Sequence, residues 1–286
     1  MSKKTDLRPS PIAGQWYPGN ASRLRNSVDG YMNAAKLPKI DGEIIALITP
    51  HAGHTYSGPV AGHAFAAVRG LCPELVVVIS PMHQPYSAPL LTSAHDAYNT
   101  PLGPIPIDKQ AVQSLSEQIE AELGYGITPV RNDSEHSVEI ELPFLQQALG
   151  KDFELLPLML RNQTRTVTAL LGHALAQTLE ERDYLIVAST DLSHFHSQET
   201  ARTLDQEFLK RVEAFDPDAI LRGEKEGKTS ACGRGAVAAT LWAAKHLGAD
   251  TVKVVNYATS GDITGDLGRV VGYGAAVITR TCPVET

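Results

Sequence analysis

The chain has 286 residues, of which 43% are hydrophobic and 20% charged, a composition that supports a globular core without disulfide or metal staples. Its net charge of −7 and the lack of a long basic run argue against nucleic acid as a partner, and no apolar stretch approaches the ~18 residues of a membrane span. There is no secretory leader pattern, and three scattered cysteines, Cys72, Cys232 and Cys282, form no disulfide framework, so a reducing cytoplasmic setting is expected.

The Pro- and Gly-rich opening, residues 8–18, disfavours a long helix. Asn20 or Ser22 caps a helix that runs to about Ala35. Ile44–Thr49 reads as a short buried strand, Gly58–Gly70 as a helix of small and apolar residues, and Leu75–Ser80 as a valine-rich strand. Together they suit a βαβ unit whose two strands are neighbours. Residues 85–107 hold five prolines and read as loops or short hairpins. Lys109–Leu123 and Glu139–Leu149 read as helices and Phe153–Leu160 as a strand. Thr164–Glu180 is a helix with Val167, Leu170, Leu171, Ala174, Leu175 and Leu179 on one stripe. Tyr184–Ser189 is a strand, Glu199–Phe215 and Gly233–Leu247 are helices, and Val252–Ala258 and Arg269–Thr279 are the last strands. The alternation predicts a single α/β domain over residues 1–286, with helices on both faces of a mixed, largely parallel central sheet.

Three strands run into a histidine or an aspartate. The segments are Pro50-His51-Ala52-Gly53-His54, Ser80-Pro81-Met82-His83 and Ser189-Thr190-Asp191-Leu192-Ser193-His194. Open α/β sheets place ligand sites at the carboxyl ends of their parallel strands. Two histidines just beyond neighbouring strands can converge, and neutral imidazole ligates iron, copper and zinc. A lone strand-end histidine is more simply a hydrogen-bonding cap; the matched pair favours ligation. His54 could point into the same pocket. His63 falls inside a helix, and His95, His173 and His246 lie outside any motif, so these four read as structural or surface residues.

Asp191 and His194 can share a proton or orient a ligand, although Asp191 or Ser193 could equally cap the next helix. Cys232 precedes a helix whose amino end, with Arg234, favours a thiolate; the alternative is a small buried apolar residue. In Glu135-His136-Ser137-Val138-Glu139-Ile140-Glu141, Ser137 can cap a helix, and Glu139 and Glu141 suit its positive end. His136 could line the pocket. Phosphate-loop, HExxH, CxxC and GxSxG patterns are all absent.

Ala13-Gly14-Gln15-Trp16-Tyr17, the three strand-end motifs, Glu135-His136-Ser137-Val138-Glu139 and Cys232-Gly233 occur in an order that resembles the MEMO1 family. Its bacterial and archaeal members are called AmmeMemoRadiSam system protein B. The resemblance spans most of the chain and implies the fold of LigB-type class III extradiol dioxygenases, which hold non-haem iron(II) on two histidines and a glutamate. It implies a metal on His51, His83 and Cys232, the cysteine standing in for the glutamate, with the catalytic pair His194 and Asp191 beside it, where the dioxygenases have their acid–base histidine; His194, oriented by Asp191, would shuttle a proton. Iron(II) is the metal implied, and copper or zinc also suits a thiolate. His54 departs from the tyrosine of many members, and Glu141 from the histidine of animal members.

Two functions follow from the resemblance. One is a metal-dependent oxidoreductase of a small-molecule substrate. The other is a metal- or phosphopeptide-binding protein on an enzyme scaffold, for which Arg234 is the arginine near the motifs. The system name further implies a radical-SAM enzyme as a pathway partner.

Overall fold

The computed structural model describes residues 5–281; Cys282 lies outside them. The first third comprises β1 (Leu7–Arg8), α1 (Ala21–Ala34), β2 (Glu43–Thr49), α2 (His54–Ala67), β3 (Leu75–Pro81), β4 (Leu90–Ser93), β5 (Ala97–Thr100) and β6 (Gly103–Pro106). The middle comprises α3 (Lys109–Leu123), β7 (Thr128–Val130), a 3-10 turn (Glu139–Glu141), α4 (Leu142–Ala148), β8 (Glu154–Leu160), α5 (Arg165–Leu179) and β9 (Tyr184–Ser189). The last third comprises β10 (His194–His196), α6 (Gln198–Glu213), α7 (Pro217–Lys225), α8 (Arg234–His246), β11 (Thr251–Thr259), α9 (Ser260–Thr264) and β12 (Val270–Arg280).

The expected α/β architecture with a mixed sheet forms. Its four middle strands, in the order β2-β9-β3-β8, are parallel. Both flanks are antiparallel: β12 pairs with β2, β10 and β11 pair with β12, and β4 pairs with β8. β7 then adds to β4 in parallel. Parallel pairing is thus narrower than expected. The link from β11 to β12 is too short for the crossover that a parallel return demands. A second, three-stranded sheet is built from β1, β5 and β6, which places short strands within the proline-rich segment.

Strand alternation divides the core between two faces. Leu75, Val77 and Ile79 of β3 pack with α3, α5, α6, α7 and α8, and Val76 and Val78 pack with α1, α2 and α4. Fully burying each such side chain contributes about 1.5–3 kcal/mol. On α1 the buried stripe is Leu24, Val28 and Met32, and Asn20 caps the helix by accepting from Arg23 N–H. Gly62 lets α2 approach α1, since a Cβ there would lie 2.7 Å from the carbonyl carbon of Tyr31.

Several boundaries differ from expectation. α2 starts at His54, four residues early, and tolerates Pro59 inside it. Residues 139–141 form the tighter turn before α4, and Ser137 donates to the Pro81 carbonyl at 2.8 Å instead of capping a helix. α7 is an element that apolar periodicity alone does not announce. Its start is signalled by Asp216-Pro217, and Asp216 accepts from Ala219 N–H. Among the described residues no helix is long and apolar enough to cross a membrane.

Candidate metal centre

β9 lies between β2 and β3, with Thr49 opposite Ser189 and Ile79 opposite Ala188. His51 and His83 therefore leave strands two places apart, roughly 10 Å, and not neighbouring strands as the βαβ reading expected. They still meet, with ring centres 5.4 Å apart and planes nearly perpendicular. His136 completes the group from the loop ahead of the 3-10 turn. It stacks on His83 at 4.9 Å and meets His51 edge-on at 5.4 Å. One ring nitrogen from each of the three lies within 4.8 Å of the others, a grouping that could hold one metal ion.

Two of the rings are anchored by hydrogen bonds at Nδ1, and the third has a carboxylate oxygen beside it. The Nδ1 of His51 is 2.9 Å from Ser189 Oγ, that of His83 is 3.0 Å from Glu135 Oε1, and that of His136 is 3.3 Å from the same oxygen. Oxygen partners at Nδ1 orient an imidazole and leave Nε2 for a metal. Glu135 also accepts the backbone N–H groups of His83, His136 and Ser137 at 2.5, 2.9 and 3.1 Å. Burial opposes its charge, but the hydrogen bonds from His83 prevail and hold its pKa well below the usual carboxylate range. Burial also depresses His51 well below its ordinary value and His136 to about 4. Both rings are thus in the neutral, ligating form at pH 7.

Glu135 is held in place by a residue with no motif around it. Arg8 is 1% exposed. Its Nε and Nη2 bracket Asp133 at 3.1 and 2.7 Å, Nη1 donates to Glu139 at 2.7 Å, and Nη2 reaches the Glu135 carbonyl at 2.6 Å. Ser10 and Tyr17 donate to the other Glu139 oxygen at 2.5 and 2.7 Å. Glu139 is therefore part of a buried ion network, not an exposed group at a helix end. The network clamps the amino-terminal segment to the loop that carries Glu135 and His136.

Cys232 reaches the site through a contact that only glycine permits. A Cβ on Gly233 would lie 2.4 Å from the Ser189 carbonyl oxygen and 2.7 Å from Thr190 Cβ, and Gly233 N–H donates to Thr190 Oγ1 at 2.9 Å. Sγ of Cys232 then stands 3.1 Å from Nε2 of His51, so it touches the histidine group through that ring. Burial first, and the Asp191 carboxylate second, push the thiol up to about 12. The helix end does not by itself produce the expected thiolate, because desolvation outweighs the dipole and Arg234 is engaged with Glu224.

A family model described as Memo-like protein matches residues 8–277. The chain belongs to the MEMO1 family. MEMO1 family proteins of Methanococcoides burtonii, Nitrosopumilus maritimus and Thermotoga neapolitana are 35%, 32% and 33% identical to it. The matches cover 95%, 94% and 95% of this chain and 100%, 98% and 99% of those relatives. A solved structure of an uncharacterized protein from Escherichia coli K12 is similar with a TM-score of 0.52 at 14% identity, covering 82% of this chain and 100% of that one. At that identity the likeness concerns the fold alone.

In this MEMO1 family chain a cleft of about 480 Å³ opens over the histidines, lined by His51, His83, His136, Asp191 and His194 with Gln15, Trp16 and Tyr56 at its wall. The Trp16 ring lies 4.2 Å from that of His136. Asp191 Oδ1 accepts the His51 backbone N–H at 2.8 Å, and burial pushes its pKa up to about 7. His194 is half-buried, paired through β10 with Val271, and burial lowers its pKa.

Two expected pocket residues lie elsewhere. His54 is buried against Phe144 and Tyr17, with Nε2 3.0 Å from the Ile140 carbonyl. Arg234 lines a separate cleft. His63 bonds the Pro59 carbonyl, His95 meets Asp6, and His173 and His246 lie side by side on the outer helices, all outside the site as expected. Glu135 and Ser189, which orient the rings, had no assigned role in the sequence reading. The available sign for Glu135 was a carboxylate directly preceding a histidine, and for Ser189 a hydroxyl at the end of a buried strand.

Proposed function

We propose that the cleft holds one transition-metal ion, iron(II) in the first place and copper or zinc otherwise, and performs redox chemistry on a small organic molecule. The scaffold proposed is that of LigB-type class III extradiol dioxygenases. The observation that carries the reading is the convergence of three imidazoles at the carboxyl edge of parallel strands, with His51 and His83 anchored by oxygen at Nδ1 and His136 beside the Glu135 carboxylate. His51 and His83 are assigned as ligands and Cys232 as the third, a donor set that suits iron, copper and zinc. His136 is the neighbouring donor able to take that third place.

A metal bound there would supply Lewis acidity and one-electron chemistry to a substrate. The chain's own groups do the rest. His194 is neutral at pH 7 and accepts a proton at the cleft wall, and Asp191, with a pKa near 7, carries or returns one. Trp16 and Tyr56, 37% and 44% exposed, give an aromatic rim on which an organic substrate can stack. The same rim could hold a peptide, and that non-catalytic reading differs only in lacking turnover.

The test is elemental analysis after reconstitution with iron(II), followed by oxygen uptake with a panel of catechols. One ion per chain, lost in the His51→Ala/His83→Ala double variant, is expected. Equal loading of that variant sinks the site. Loaded protein that consumes no oxygen with any catechol removes the redox assignment and favours the peptide-binding reading.

A further inference from the structure

A second cleft, of about 800 Å³, opens where α5, α7 and α8 meet, and it shares no lining residue with the metal cleft. Arg161, Arg165, Arg222, Lys225 and Arg234 line it against two carboxylates, Asp218 and Glu224. The whole chain carries a net charge of −7, so this concave surface has the opposite sign to the molecule. Gathering like charges in a concavity costs self-repulsion, and such a site focuses a field that attracts anions.

Not all of this charge is neutralised. Arg165 pairs with Asp218 and Arg234 with Glu224, whereas Arg222 meets Asp216 only in a long, solvent-exposed contact of 3.5 Å that leaves guanidinium donors free for an anion. Arg161 donates to the Met82 carbonyl at 3.0 Å, which leaves its charge uncompensated. Lys225 has no carboxylate partner among the described residues. The backbone adds charge of the same sign: α5 and α8, of 15 and 13 residues, both begin at this cleft without a side-chain bond from the N-cap residue. Gln163 takes one first-turn N–H, that of Gly235. Guanidinium forks match phosphate oxygens. Tyr86 and Pro89 supply a less polar wall, and the volume suits a small-molecule ligand.

We propose that this cleft binds a small organic phosphate. Its phosphate is met by Arg161, Arg222 and Lys225, and its organic part lies toward Tyr86. The site is independent of the metal reading, because it uses other residues and needs no metal.

The test is calorimetric titration of the full chain with pyrophosphate and with a nucleoside monophosphate at fixed ionic strength. Saturable one-to-one binding is expected, weakened roughly tenfold in the Arg222→Gln/Lys225→Gln double variant, since both removed charges are exposed and partly screened. Both positions are exposed, so the variant should fold. Binding should persist unchanged in His51→Ala/His83→Ala. No saturable heat at millimolar probe overturns the proposal, as does binding unaffected by the double substitution. Binding lost with the two histidines also overturns it, by placing the phosphate in the metal cleft.

Discussion

Sγ of Cys232 lies 3.1 Å from Nε2 of His51, a ring whose other nitrogen faces Ser189 Oγ at 2.9 Å. A strand end, a strand terminus and a helix start from three distant parts of the chain meet in that contact. Under the proposed ligation, the protonation of the thiol governs how the site takes a metal.

Metal affinity is expected to rise with pH. The thiol, held up to about 12 by burial and by Asp191, must lose its proton to ligate, whereas His51 and His136 are already neutral. One proton released per ion corresponds to roughly tenfold tighter binding per pH unit. Zinc titrations at pH 6, 7 and 8 should show that slope in the wild type and a shallower one in Cys232→Ala. Equal slopes would remove the thiol from the ligand set and leave His136 in its place.

Glu135→Gln keeps the volume of the side chain but removes the charge that holds the His83 ring and lies beside that of His136. Loss of such an outer partner weakens metal binding about 10–100-fold. Competition against a chromophoric chelator measures this, with circular dichroism as the check on folding. A well-folded variant with wild-type affinity would show that Glu135 is not what positions the rings.

Glu141 makes stability itself depend on pH. Burial, only partly offset by the 2.7 Å bond from Ser189 Oγ, pushes its pKa up to about 8, against 4.5 for the free group. Between those values the folded chain keeps a proton that the unfolded chain has lost. This contribution to stability is complete below about pH 4.5 and is lost as pH rises through about 8. Glu141→Gln mimics the protonated form. Its Tm should match the wild type near pH 5 and exceed it at pH 8. A constant difference at both pH values would mean that Glu141 does not titrate in this window.

Gly233→Ala places a methyl group 2.4 Å from a backbone carbonyl that has little room to move. Overpacking of this kind costs about 1–3 kcal/mol, measurable by urea denaturation. The substitution should also draw Cys232 away from His51 and diminish the sulfur-to-metal absorption of the cobalt(II) form. A full absorption band in a variant of unchanged stability would contradict the glycine argument.

His51, His83 and Asp191 were legible in the sequence because each follows an apolar strand run, and such runs can be read locally. Their neighbours were not. Periodicity shows which face a strand buries but not which strand lies beside it, so the insertion of β9 and Ser189 between the two histidines went unseen. Arg8 was hidden for a similar reason, since its partner Asp133 lies 125 residues away. The antiparallel flanks follow from connection length, which the element boundaries gave only loosely.

By itself the sequence determined the alternation of strands and helices, the two-faced burial of the middle strands, and the strand ends that carry candidate ligands. These depend on side-chain period and turn chemistry within a few residues. Only the tertiary structure decided that His136 joins His51 and His83 while His54 packs on Phe144, that Arg234 turns to Glu224, and that Cys232 rests as a buried thiol beside His51. Desolvation and pairing set those outcomes, and both depend on which distant segments close around a side chain.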